Sequence, residues 1–136
     1  MASRSVFLDT NIVADMIDPK RLHYREAMEL LRKLVIGNYR AVISEDMLST
    51  LYFISSDKRA TLEFFEHIAY RHWDVVPYGD VVIREATRLS LATGQDLEDT
   101  LQCLCAKQEG CALILTEDKG FVDCGVEVID YAGFLL

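Results

Sequence analysis

Short, unbroken apolar runs alternate along this chain with longer stretches whose apolar residues recur at helical spacing, and few folds satisfy that pattern. Ser5-Val6-Phe7-Leu8, Ala41-Val42-Ile43, Val75-Val76 and Ala112-Leu113-Ile114-Leu115 read as strands, with Val126 to Ile129 a last short one. Between the first two, Leu22, Ala27, Leu30, Leu31 and Leu34 follow a helical period that Gly37-Asn38 should stop. Met47, Leu48, Leu51, Tyr52 and Ile54 continue it after the second run, and Ala60 to Trp73, Val81 to Ala92 and Leu97 to Ala106 are further amphipathic stretches. Strands that are apolar without alternation are buried on both faces. The expected fold is therefore α/β in three layers, a central parallel sheet of about five strands with right-handed crossovers and helices on both faces.

A chain of 136 residues with a 51% hydrophobic fraction can bury a real core in one domain, expected to span 1–136, and the scattered two Pro and seven Gly mark no linker. With 14 Lys+Arg against 22 Asp+Glu the net charge is −8, which argues against tight, passive nucleic-acid binding; any such contact must be local or metal-assisted. No basic segment followed by a long apolar one suggests export, and no apolar run approaches the ~20 residues that span a bilayer. A cytoplasmic protein without membrane contact is expected. Cys103, Cys105, Cys111 and Cys124 form no CxxC pair, and with His23, His67 and His72 they complete no zinc spacing, so reduced thiols are expected. Cys103 and Cys105 read as small core residues.

In sheets of this kind ligands bind beyond the carboxyl ends of the strands. Asp9 follows the first run directly, in Phe7-Leu8-Asp9-Thr10-Asn11, and Asp118 holds the equivalent place after the fourth, in Leu115-Thr116-Glu117-Asp118. Asp99, in Asp96-Leu97-Glu98-Asp99, falls in the first turn of the helix preceding that fourth strand. Carboxylates drawn together raise each other's pKa unless a cation neutralises them, and a hard ion such as Mg²⁺ or Mn²⁺ suits an all-oxygen site. Such an ion polarises a phosphoryl oxygen and generates a nucleophile from bound water, which is phosphodiester hydrolysis chemistry. Asn11 and Thr116 could hold the ligands in orientation, or bond only within their own turns. Each acid also has a plainer role: Asp9 as a helix cap, Asp96 as a cap complementing the helix dipole, Glu117 as a solvated side chain, Asp118 as a turn residue. The metal reading rests on their joint placement.

Taken in order, Phe7-Leu8-Asp9-Thr10-Asn11, Ile43-Ser44, Asp96-Leu97-Glu98-Asp99-Thr100-Leu101 and Leu115-Thr116-Glu117-Asp118-Lys119-Gly120-Phe121 resemble a PIN domain over nearly the whole chain. The closest likeness is to the branch with paired aromatics, here Tyr52-Phe53, after the second strand. The resemblance implies a sheet of order 3-2-1-4-5 and metal-dependent ribonuclease activity, commonly that of a VapC-type toxin of a bacterial toxin-antitoxin pair. It matches Asp9, Asp99 and Asp118 to the family's metal-binding acids and Asn11 and Thr116 to its supporting polar residues. It also implies a homodimer and neutralisation by a small antitoxin protein. One position departs from the pattern: where the family carries an acid about six residues after Ser44, this chain has Thr50. Asp46, one helical turn earlier, and its neighbour Glu45 are the available substitutes.

The first expectation is thus an endoribonuclease acting on an RNA substrate, with Lys119 or Arg21 meeting phosphates. An alternative is a catalytically weakened PIN-like module that binds without cutting, motivated by Thr50. A phosphotransferase using Asp9 as nucleophile ranks last, because that motif wants an acid where Asn11 stands. The aromatic stretch Phe64, Phe65, Tyr70 and Trp73 reads as core packing rather than an RNA-stacking platform.

Overall fold

The computed structural model describes residues 4–136. Strands β1 (Ser5–Leu8), β2 (Arg40–Ser44), β3 (Asp74–Val76), β4 (Leu113–Leu115) and β5 (Glu127–Ile129) form one parallel sheet of order β3-β2-β1-β4-β5. In the central register Phe7 lies opposite Val42 on one side and Ile114 on the other. All of β1 is buried, as its unalternated apolar sequence requires of a strand covered on both faces.

The connections are helices α1 (Thr10–Ile17), α2 (Tyr24–Ile36), α3 (Met47–Ile54), α4 (Lys58–Phe64), α5 (Tyr70–His72), α6 (Gly79–Thr93), α7 (Leu97–Gln108) and α8 (Tyr131–Leu135). Leu22 does not join the apolar face of α2 as its spacing suggests. The helix begins only at Tyr24, and Leu22 is 88% exposed. At the other end, Asn38 rather than Gly37 adopts the left-handed conformation, with φ 54°. Gly37 is required for space, since a Cβ there would sit 2.9 Å from the Lys33 carbonyl oxygen.

The stretch Ala60 to Trp73 is not one regular helix. A widened π-type turn at Phe65–Ala69 separates α4 from α5, and with it Phe65 and Ala69 are buried while Phe64 meets Trp73 edge-on at 5.6 Å between centroids. These aromatics are core, apart from Tyr70, which is half exposed.

The cysteines depart from expectation. Cys103 on α7 and Cys124 in the loop between β4 and β5 are disulfide-bonded, with Cα atoms 6.1 Å apart. No sequence spacing announces this pair, because the loop is folded back on α7 only by tertiary packing. Cys105 and Cys111 are buried free thiols, and burial pushes the Cys105 thiol up to about 12, so it is inert. Among the described residues no helix is long and apolar enough to cross a membrane.

Candidate metal centre

Asp9 leaves the sheet at the carboxyl end of β1, where its amide still bonds the Leu115 carbonyl of β4 at 3.1 Å. It occupies the cap position of α1, yet its side chain makes no capping bond. Instead Oδ2 accepts a 2.7 Å hydrogen bond from Thr116 Oγ1, and that hydroxyl oxygen also accepts from the Asp118 amide at 3.1 Å. Thr116 therefore ties the ends of β1 and β4 together. Asp9 is 5% exposed, and burial, with a smaller push from Asp118, holds its carboxyl above the usual range despite the bonds from Thr116, Thr10 and Gln102.

Helix α7 delivers Asp99 to the same place. Asp96 caps the helix, its Oδ1 accepting from the Asp99 amide at 2.9 Å, so its capping role is real. The Asp99 carboxyl is hydrogen-bonded to Asp118 and is pushed up to about 7 by partial burial, then by Asp96, Asp118 and Asp9. The acids expected at separate chain positions thus interact electrostatically at one edge of the sheet.

Other expected residues lie elsewhere. The Asn11 side-chain oxygen accepts from Arg21 at 3.4 Å, and Arg21 itself is paired with buried Asp15 at 2.7 Å, so it is committed to the fold rather than free for phosphates. Glu117 is not merely solvated: it accepts from the Tyr131 amide at 2.8 Å. Glu45 is exposed, whereas Asp46 turns inward, its Oδ2 accepting from the Tyr78 hydroxyl at 3.3 Å. Thr50 is held in α3 through its amide bond to the Asp46 carbonyl at 3.1 Å.

Two residues emerge that sequence reading passed over. Partial burial, followed by the charges of Asp46 and Asp9, raises the Glu98 carboxyl, although the residue is open to solvent overall. Gln102, fully buried on α7, donates to Thr10 Oγ1 at 3.0 Å and bonds Asp9. The signal was present in their spacing: Gln102 lies four residues beyond Glu98 and three beyond Asp99, on one helical face. A cavity of about 590 Å³ opens beside Asp118, lined by Thr116, Lys119, Phe121, Val126 and Ile129 among others.

Among the described residues, no three His, Cys, Asp or Glu side chains close on one point tightly enough to cage an ion by themselves. The donor set nonetheless fits a hydrated hard cation. All the candidate ligands are carboxylate oxygens, Asp9 and Asp99 hold their protons more tightly than ordinary carboxyls, and Asp46 Oδ1 and Gln102 Oε1 are buried without a protein donor. Mg²⁺ characteristically takes only one or two carboxylates and keeps several waters.

A sheet of this order with acids at this edge defines the PIN class, and the PIN domain family model matches residues 6–126. The chain belongs to the PIN domain family. Ribonuclease VapC1 of Aquifex aeolicus (strain VF5) is 32% identical over 133 residues, covering 95% of this chain and 92% of that protein. Among solved structures, Mycobacterium tuberculosis VapC20, a sarcin-ricin loop cleaving toxin, superposes with a TM-score of 0.71 at 14% identity, covering 89% of this chain and 95% of its own. VapBC2 from Rickettsia felis, bound to a DNA fragment from its promoter, gives a TM-score of 0.65 at 20% identity over 93% of this chain and 98% of that one. Both structures share the fold.

Proposed function

We propose that the chain acts over its full length as one PIN-type domain, a Mg²⁺- or Mn²⁺-dependent endoribonuclease and the toxin of a toxin-antitoxin pair. The observation that carries this reading is the convergence of Asp9, Asp99 and Asp118, two of them with raised proton affinity. The VapC1 relative supports the ribonuclease assignment, and the VapBC2 relative supports an antitoxin partner.

In this reading Asp9, Asp99 and Asp118 hold the ion. When bound, it polarises the phosphate and lowers the pKa of the attacking water. Thr116 and Gln102 fix the Asp9 carboxylate, so the ligand is oriented before substrate arrives. With its carboxyl pushed up to about 7, Asp99 is partly protonated at neutral pH, so a cation held there would compete with the proton and its affinity would rise with pH. The cavity beside Asp118 receives the RNA next to the phosphate under attack, and Lys119 on its rim offers a positive charge to a flanking phosphate.

Purified protein is expected to cut RNA with Mg²⁺ or Mn²⁺ and to stop with EDTA. Full activity in Asp9→Ala would end the proposal. Thr50 motivates the second reading, a module that binds without cutting; there, RNA or antitoxin association persists while metal titration shows no binding. The family likeness also makes a homodimer the expected assembly, which sedimentation would test.

A further inference from the structure

A buried oxygen with no donor keeps the full cost of its lost hydration, so proteins keep one where something other than the chain donates to it. Gln102 is 1% exposed; its Nε2 donates to Thr10 Oγ1 at 3.0 Å, and its Oε1 is buried without a partner. Asp46 shows the same asymmetry, Oδ2 taking the Tyr78 hydroxyl at 3.3 Å and Oδ1 buried and unpartnered. Glu98 stands beside the first of these, its Oε1 accepting from Thr10 Oγ1 at 3.5 Å, the same hydroxyl that takes the Gln102 amide. Because β1 and β2 are parallel neighbours, Asp9 and Asp46 leave the sheet at the same edge, where Gln102 on α7 also bonds Asp9, and the chain supplies too few donors to satisfy these acceptors.

We propose that Glu98, Gln102 and Asp46 are positioning residues that accept hydrogen bonds from the water shell of the cation held by Asp9, Asp99 and Asp118. They supply from α7 and the α3 cap the acceptor oxygens that Thr50 does not provide, two of the three residues being carboxylates. This rests on the metal reading above and deepens it. Outer-shell acceptors of this kind orient coordinated waters and ligands, and their loss typically costs 10–100-fold in metal affinity. Waters rather than further carboxylates at the ion also agree with the open arrangement of the acids.

The test is Mn²⁺ binding to the intact protein, read as free Mn²⁺ by electron paramagnetic resonance and as water-proton relaxation enhancement of the bound ion. Glu98→Gln is expected to weaken binding about tenfold or more and to change the relaxation enhancement; Asp46→Asn and Gln102→Met should act in the same direction. Thr50→Ala should do neither, and Glu127→Gln, an exposed acid on the cavity rim, controls for the loss of one negative charge. Because Glu98 is exposed, its variant folds even where Gln102→Met does not. Wild-type affinity and relaxation in Glu98→Gln, or a loss matched by Glu127→Gln, overturns the proposal. Binding that survives Asp99→Asn unchanged overturns the metal centre itself, and with it this inference.

Discussion

Asp99→Asn should make the metal-free protein more stable while removing its activity. Folding carries the Asp99 carboxyl from the ordinary value near 3.8 to about 7. Each tenfold change in proton affinity is worth about 1.4 kcal/mol, so the full difference corresponds to roughly 4 kcal/mol of penalty on the ionised form. Asp99 is only partly buried, and solvent screening reduces this to about 1–2 kcal/mol. The sign follows from proton linkage. Between pH 4 and 7 the folded state binds more protons at this site than the unfolded one, so stability falls as pH rises through that window. Below pH 4 both states are protonated and the penalty vanishes; above about pH 7 it is present in full. Asparagine never ionises. At pH 8 in EDTA the variant should therefore melt about 3–8 °C higher than wild type, and the gap should close toward pH 4. Saturating Mg²⁺ should raise the wild type and leave the variant nearly unmoved. Urea titration at both pH values gives the free energies directly. A variant less stable at pH 8, or a difference that does not depend on pH, would refute the argument that crowded charge at this edge is a cost borne for metal binding.

Tyr131→Phe removes the 2.9 Å hydrogen bond to buried Asp15 that pins α8 to α1, and should cost about 1.5–3 kcal/mol in urea unfolding; no loss would mean that the Arg21 pair alone satisfies Asp15. Reducing Cys103–Cys124, which closes a loop of 21 residues, should lower stability by about 3 kcal/mol without unfolding the sheet. Thiol titration of the unreduced protein in denaturant should accordingly find two reactive cysteines, and four would contradict the bond. Because the net charge is −8, kcat/KM on RNA at saturating Mg²⁺ should stay level or rise between 25 and 200 mM KCl. A steep fall would instead reveal a basic tract that steers the substrate.

Asp9 and Asp118 could be read from sequence because their placement is local: each follows a strand whose apolar run ends at a defined residue. Strand existence was legible for the same reason, and the sheet order followed from the resemblance rather than from any run of residues. Glu98 and Gln102 were not legible, since the phase of α7 against the sheet decides which of its polar residues turn inward, and that phase is set by Cys103, Cys105 and Ala106 entering the core. Asp46 was noticed only as a neighbour of Thr50; its inward turn depends on Tyr78, 32 residues away. The Cys103–Cys124 bond is equally non-local, depending on where the β4–β5 loop comes to rest.

The excess of negative charge is not spread evenly in energetic terms. Asp57, Asp96 and Asp130 cap helices with their side chains, and Asp15, Asp74 and Glu109 are paired with arginines, so these acids stabilise or at least cost little. Asp9, Glu98 and Asp99 are the carboxyls whose proton affinity folding raises, and they meet at one end of the sheet. An arrangement that merely solubilised the protein would scatter such groups into water. Holding them together against repulsion, with Thr116 and Gln102 fixing the most buried one, is what the proposed metal site requires, since a divalent cation would relieve that repulsion on binding. On the proposed metal reading, such an ion would reverse the local field, so that a protein of net charge −8 could bring a phosphodiester to its own carboxylates.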